Sequence, residues 1–222
     1  MHVLDDPVRQ SLLGRHAHLA RRVGNAVTYE EGVATFAAVP ADPSQGDWDD
    51  LGRLLGSGGL ADLFSAPVSP PASWPPVFEL EGYQMVLDRP LTAPAPAPEL
   101  GPADVPDMMA LTELTRPGPF QSRTIELGTF YGIRENGTLI AMAGERLQPP
   151  GWTEISSVCT APEARGRGLA ADLVRTAASR ILARGDQPFL HVAAANTTAV
   201  RLYERLGFAI RRRVRFHGYR VP

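Results

Sequence analysis

The chain reads as an α/β protein: a mixed β-sheet flanked by helices, preceded by an N-terminal α+β subdomain. Three observations carry that expectation. The stretch Thr153 to Thr160 has the β-branched, small-residue character of a buried strand, and a glycine turn and a run with helical apolar spacing follow it. Asn136-Gly137 separates two runs of strand character, Thr129 to Arg134 and Thr138 to Arg146, which is a strong hairpin signal. The run Pro94-Ala95-Pro96-Ala97-Pro98 favours stiff, extended spacer geometry, dividing the chain into a subdomain at 1–93, a linker at 94–98 and a second domain at 99–222.

In chain order, Asp6-Pro7 predicts an N-cap and first turn, with a helix to about Arg22 that Gly24 stops. Val33 to Val39 predicts a strand, Asp47 to Leu55 a helix, and Leu60 to Phe64 a short strand. The prolines between Ala66 and Pro76 exclude regular structure there, and Phe78 to Leu87 predicts a further strand. This first part contains no constellation that reads as catalytic. Beyond the linker, Ala103 to Leu114 is helical, the hairpin follows, and Pro149-Pro150-Gly151 turns into the Glu154 strand. Pro162 ends that strand, because it has no N–H to donate to a ladder. Leu169, Leu173, Val174, Ala177, Ala178, Ile181 and Leu182 form one helix face. A strand at Phe189 to Ala193, a helix opened by Asn196, and one or two antiparallel strands over Phe208 to Val221 complete the series.

Composition narrows the function classes. The 222 residues carry a formal charge of −2, so no global field favours nucleic acid or an anionic membrane surface. No apolar run approaches the ~20 residues a membrane span requires, and the N-terminus shows no basic and apolar leader pattern. A single cysteine excludes an internal disulfide and suits a reducing, cytoplasmic setting. The histidines, His2, His16, His18, His191 and His217, are scattered without metal-ligand spacing, so no metal is expected.

The order strand, glycine turn, helix around Gly166 and Gly168 marks an anion site. First-turn N–H groups have no partners inside the helix and carry the positive end of its dipole, which suits a phosphate. A Walker loop would need Lys and then Ser or Thr after its last glycine, but Leu169-Ala170 stand there. A dinucleotide fingerprint would need an acidic residue closing the next strand, and that strand runs out in Ala193-Ala194-Ala195-Asn196.

Arg165-Gly166-Arg167-Gly168-Leu169-Ala170 resembles the Arg/Gln-x-x-Gly-x-Gly/Ala signature of the GNAT superfamily of acyl-CoA N-acyltransferases. Asn196 opening a helix that carries Tyr203 and ends in Leu206-Gly207-Phe208, and Glu154 on the strand feeding the loop, extend the likeness over about Pro98 to Val221. It looks most similar to the FR47-like branch. The resemblance implies a GNAT-like mixed sheet, with the N-terminal subdomain as a degenerate GNAT-like half or a merely structural addition. It implies acetyl-CoA as co-substrate, an unidentified amine as acceptor, and transfer by direct attack in a ternary complex.

The resemblance also assigns roles. Amides from Arg167 to Ala170 would grip the pyrophosphate, with Gly166 and Gly168 letting the backbone approach it and Arg165 and Arg167 adding charge. Backbone groups of Val158, Cys159 and Thr160 would pair with the pantetheine arm, and Asn196 would hold one of its amides. Glu154 is expected as general base, with Glu145 and Glu126 as lesser candidates, and Tyr203 as the group that assists the leaving thiolate. Nothing near Cys159 in sequence activates it, so it reads as structural. His191 is expected in the core or near the acyl group. Arg211, Arg213 and Arg215 are expected on one solvated strand face. A non-catalytic module that binds acyl-CoA or a partner on the same fold is the alternative. No nucleic-acid or membrane partner is expected, and the oligomeric state stays open, a homodimer included.

Overall fold

In the computed structural model, residues 2–91 and 97–222 are described. The described residues form five α-helices and eleven strands. The first part holds α1 (Pro7–Leu13), β1 (Ala20–Val23), β2 (Ala26–Tyr29), β3 (Ala37–Ala38), α2 (Gln45–Leu55), β4 (Leu60–Asp62) and β5 (Pro76–Leu87). The second part holds β6 (Glu99–Leu100), α3 (Val105–Thr115), β7 (Phe130–Glu135), β8 (Thr138–Glu145), β9 (Trp152–Thr160), α4 (Leu169–Ala183), β10 (Gln187–Ala193), α5 (Thr197–Arg205) and β11 (Phe208–Arg220).

Strands β1, β2 and β3 form a small sheet, and the remaining eight form one large sheet in the order β4-β11-β5-β10-β9-β8-β7-β6. Only β9 and β10 run parallel within it; the other neighbours are antiparallel. The period-two alternation of β8 sorts the core. Ala141 and Ala143 pack with Leu173, Val174 and Ala177 of α4 on one face, whereas Ile140 and Met142 pack with Met108 and Leu111 of α3 on the other. Phe189 and Leu190 make the same division on β10, Phe189 joining Leu4, Val8 and Leu12 from the N-terminal layer.

The sheet does not divide where the proline run suggests. β5 comes from the first part, yet it lies between β10 and β11, in register with both from Gly82 to Val86. β4 closes the edge against β11. The expected boundary therefore separates two stretches of sequence that share one sheet. Most of the expected linker lies outside the described residues; Pro98 accepts a hydrogen bond from Gly132 N–H at 3.0 Å as the chain re-enters the sheet. Gly82 is needed on β5, because a Cβ there would stand 2.3 Å from the Phe216 ring that crosses it.

Local expectations differ mainly in the first forty residues. Asp6 caps α1 through Arg9 N–H at 3.2 Å, as its sequence predicts, but the helix stops at Leu13 instead of reaching Arg22. Residues 20–23 are drawn into a hairpin with β2, and His16 is buried against the Tyr29 hydroxyl at 2.9 Å. Tertiary pairing overrides helical spacing here. The strand expected over Val33 to Val39 shrinks to Ala37–Ala38. The Asn136-Gly137 hairpin has positive φ at both turn residues, 50° and 84°. On β11 a register shift between Ile210 and Arg212 turns Arg211 onto Gln84 and Asp5, so Arg211, Arg213 and Arg215 do not share one solvated face. Among the described residues, no helix is long and apolar enough to cross a membrane.

Because β5 fills the place between β10 and β11 and β4 covers the other side of β11, a fragment of residues 97–222 would leave one edge of β10 and both edges of β11 unpaired, with the apolar surface under them exposed. Such a fragment is expected to aggregate or lose its native circular dichroism. A monodisperse, cooperatively unfolding fragment would show that the second part carries a sufficient core alone.

Candidate active site

The site begins where two strands part. β9 and β10 are in register from Gln187 opposite Trp152 to Leu190 opposite Ile155. Past that point β10 follows β5, while β9 stays with β8 through Met142–Cys159 and Ala141–Thr160. A bulge on β9 helps the divergence: the register with β8 shifts between Gly144–Ser156 and Met142–Cys159, and Ser157 sits at φ 53°. A non-glycine residue in that region is strained by about 1–2 kcal/mol, and bulges bend the strand that carries them. The β10-facing edge of β9 at Val158 to Thr160 is thereby left outside the β9–β10 ladder.

Beyond β9 one 3₁₀ turn (Pro162–Ala164) leads to Arg165 in extended geometry, and then to Gly166 at φ 79° and Gly168 at φ 83°. Gly168 is the N-cap of α4 and supplies no side chain to cap it. The first hydrogen bond along the helix runs from Asp172 N–H to Gly168 O at 3.2 Å, which leaves the N–H groups of Leu169, Ala170 and Ala171 ahead of the ladder. A Cβ on Gly166 or Gly168 would meet nothing within 4 Å, so open space lies over this loop. Arg167 is exposed and paired with Glu135 at 2.8 Å, while Arg165 Nε donates to Thr160 O at 3.3 Å.

On the other strand's side, Asn196 caps α5 by accepting from Ala199 N–H at 3.1 Å. Tyr203, two turns along, is 7% exposed and its ring edge meets Phe208 at 6.2 Å between centroids. Burial raises the pKa of the Tyr203 phenol well above its ordinary value, with Cys159 adding to the effect, so the hydroxyl keeps its proton. Burial also pushes the Cys159 thiol up to about 11, which leaves it a poor nucleophile.

One cavity of about 780 Å³ joins these parts. Val158, Cys159, Thr160, Arg165, Ala170, Asn196 and Tyr203 line one side of it. Thr160 Oγ1 is buried there without a hydrogen-bond partner among the described residues. Gly166, Arg167, Gly168 and Leu169 form the loop beside it rather than its lining.

Glu154 takes a different place from the one its sequence position suggests. It is wholly buried, accepting from Arg146 Nε at 2.8 Å and Nη2 at 2.7 Å, and from Leu147 N–H at 3.3 Å. His191 Nδ1 donates to it at 2.6 Å. The His191 tautomer follows from the next link: Arg211 occupies Gln84 Oε1 at 2.8 Å, so Gln84 Nε2 donates to His191 Nε2 at 3.1 Å and to Leu4 O at 2.8 Å. Burial alone would raise the Glu154 carboxyl, but the charge and hydrogen bonds of Arg146, with those of His191, bring it down to about 2. A carboxylate so placed is a weak proton acceptor. Burial correspondingly holds His191 below its usual range, against the pull of Glu154. Of the lesser candidates, Glu145 pairs with Arg184 at 2.6 Å and Glu126 with Arg123 at 2.7 Å, and neither lines the cavity.

The far end of the cavity comes from the first part of the chain. Phe36, Asp62, Phe64, Phe78 and Leu80 line it together with Arg146, His191 and Phe216. None of the first five was legible as functional from its neighbours in sequence. The one available signal is Asp62 itself, a lone charge inside the apolar run Leu60-Ala61-Asp62-Leu63-Phe64. Among the described residues no group of three or more His, Cys, Asp or Glu could hold a metal ion.

Similarity to known proteins runs along the same lines. The family model for FR47-like protein matches residues 130–219. Mycothiol acetyltransferase of Thermobispora bispora is 31% identical over 155 residues, which are 55% of this chain and 52% of that protein, so the chain spans about half the length of this curated relative. A solved structure from Kribbella flavida, described as a GCN5-related N-acetyltransferase, superposes with a TM-score of 0.67 over 99% of this chain and 96% of that one, at 17% identity, a likeness of fold. A GNAT-family structure from Novosphingobium aromaticivorans DSM 12444 is 40% identical, with a TM-score of 0.89 over 99% of this chain and 98% of that one. A likeness of that identity, spanning both chains almost end to end, places this chain in the GNAT family of acyl-CoA N-acyltransferases.

Proposed function

We propose that this chain transfers an acetyl group from acetyl-CoA to a primary amine by direct attack within a ternary complex. The observation that carries the reading is one cavity whose lining takes in the parted strands and α5 together with Phe36, Asp62, Phe64 and Phe216. A site for the carrier alone needs no such aromatic and acidic lining, and this disfavours a module that only binds acyl-CoA.

The residues suit coenzyme A on their own terms. Free N–H groups at the start of α4 face open space over Gly166 and Gly168, where a pyrophosphate gains hydrogen bonds and the helix dipole. The unpartnered Thr160 Oγ1 and the unladdered edge of β9 offer polar partners to an amide-bearing arm. Asn196 spends its side-chain oxygen on the helix cap and keeps its amide N–H groups for a ligand.

In the transfer a C–N bond forms as the C–S bond breaks; the entering ammonium gives up two protons, one ending on the thiolate and one in solvent. Tyr203 stays protonated and donates to the sulfur as it gains charge. An ordinary phenol near ~10 is already a poorer acid than a thiol near ~8.5, and burial makes Tyr203 poorer still, so complete proton transfer is uphill by at least about 2 kcal/mol, and a strengthening hydrogen bond is the role that fits. Glu154 acts as an anchor for Arg146 and His191, not as the base. A single cysteine without a disulfide partner suits a cytoplasmic setting.

Three variants test these roles. Gly168→Asp, which puts a negative charge at the uncapped helix start, is expected to abolish acetyl-CoA binding in calorimetry; unchanged affinity would remove the loop from the carrier site. Tyr203→Phe keeps the ring and is expected to lower turnover by roughly 10²–10⁴-fold, the usual range for lost proton-transfer help, with acetyl-CoA affinity retained. Turnover at the wild-type rate would reduce the tyrosine to packing. Glu154→Gln leaves Arg146 buried beside a neutral partner and is expected to cost about 3–5 kcal/mol of stability in urea unfolding. A variant of unchanged stability that loses turnover would restore Glu154 as the base.

A further inference from the structure

We propose that Asp62 is the docking carboxylate for the acceptor: it receives the primary ammonium of a substrate whose body is apolar and lies against Phe64 and Phe216. The inference rests on the acetyltransferase reading and names the substrate class for the same site. Asp62 stands on β4, opposite Gly218 of β11, and is 4% exposed. Its Oδ2 accepts from the Thr35 hydroxyl at 2.6 Å. Its Oδ1 is buried, lies on a residue that lines the cavity, and has no hydrogen-bond partner among the described residues. A buried carboxylate oxygen left unpaired is costly, and a ligand N–H entering the cavity would satisfy it.

The surroundings specify what that ligand carries. Phe64 stacks on Phe216 with centroids 4.7 Å apart at 8°, and Phe36 lies 4.7 Å from Phe64. Arg146 covers the Phe64 and Phe36 rings at 4.6 and 5.1 Å, yet its Nε and Nη2 are both committed to Glu154. That pair cancels, so Asp62 is the uncompensated charge of this end, and a cation matches it. Burial pushes the Asp62 carboxyl up to about 6, against the Thr35 hydrogen bond and the Arg146 charge, so the ionised form prevails at neutral pH. An arriving ammonium favours the ionised form further.

The test uses the full-length protein saturated with coenzyme A, so that no turnover intervenes. Calorimetry compares 2-phenylethylammonium with its uncharged counterpart 2-phenylethanol. The wild-type protein is expected to bind the ammonium at least tenfold more tightly than the alcohol. Asp62→Asn is expected to erase that preference while its affinity for coenzyme A stays within twofold. Equal binding of both probes by the wild type, or a preference that survives in the variant, overturns the assignment. Binding of neither probe to a wild-type protein that does bind coenzyme A overturns the apolar-body class. Failure of the wild type to bind coenzyme A overturns the acetyltransferase reading itself, a result separate from the other two. Should Asp62→Asn not fold, the wild-type comparison of the two probes still decides.

Discussion

The buried carboxylate of Glu154 is the interaction on which the rest of this structure depends. Around it runs a belt of one polar side chain per strand: Arg146 just past β8, Glu154 on β9, His191 on β10, Gln84 on β5 and Arg211 on β11. Gln84 extends the belt to Leu4 O, and Arg211 extends it to Asp5 in the N-terminal layer. Taking Arg146 and Glu154 out of water costs several kcal/mol per ion, so the pair is weak evidence for net stability. Its value lies in specificity: only one register of five strands satisfies every member. The belt crosses the sheet beside the last β9–β10 pairs, just before the bulge on β9 where the two strands part.

That belt also explains why the two parts of the chain cannot be understood separately. β5 contributes Gln84 to the belt and Gly82 to the passage of Phe216, and both features require β5 between β10 and β11. With β5 in place, the neighbouring β4 carries Asp62 to the cavity, and the loop ahead of β3 carries Phe36. The carrier and acceptor ends proposed for the cavity thus draw on both halves of the sequence on one continuous sheet. Phe36, Asp62 and Phe64 come from the half that shows no recognisable motif, which fits the general pattern that specificity varies on a shared scaffold.

What the sequence discloses follows the range of the forces involved. Features set within a single turn or helix cap were legible: the Asn136-Gly137 turn, the Asp6 and Asn196 caps, and the uncapped start of α4 behind Gly168. Features set by pairing between elements were not. The helix from Pro7 has acceptable spacing as far as Arg22, but pairing of residues 20–23 with β2 overrules it. Glu154 is eight residues from Arg146 and 37 from His191, and no local pattern announces that these three meet in the dark of the core. The family motif placed Glu154 on the right strand, yet only its partners show what the carboxylate does there.

Glu154 and Asp62 form an instructive pair, since both are buried aspartate- or glutamate-type acids flanking the same guanidinium. Burial pushes each upward; the outcomes part because Arg146 gives Glu154 two hydrogen bonds and its nearest charge, and gives Asp62 only a more distant attraction. One ends at about 2 and the other at about 6. Environments that drive two carboxyls apart in this way assign them different work. A carboxylate held far below neutrality and saturated with donors is an anchor, because its charge is already spent within the protein. A carboxylate held near neutrality, with one oxygen unclaimed on a residue that lines a cavity, has charge and hydrogen-bonding capacity left for a ligand.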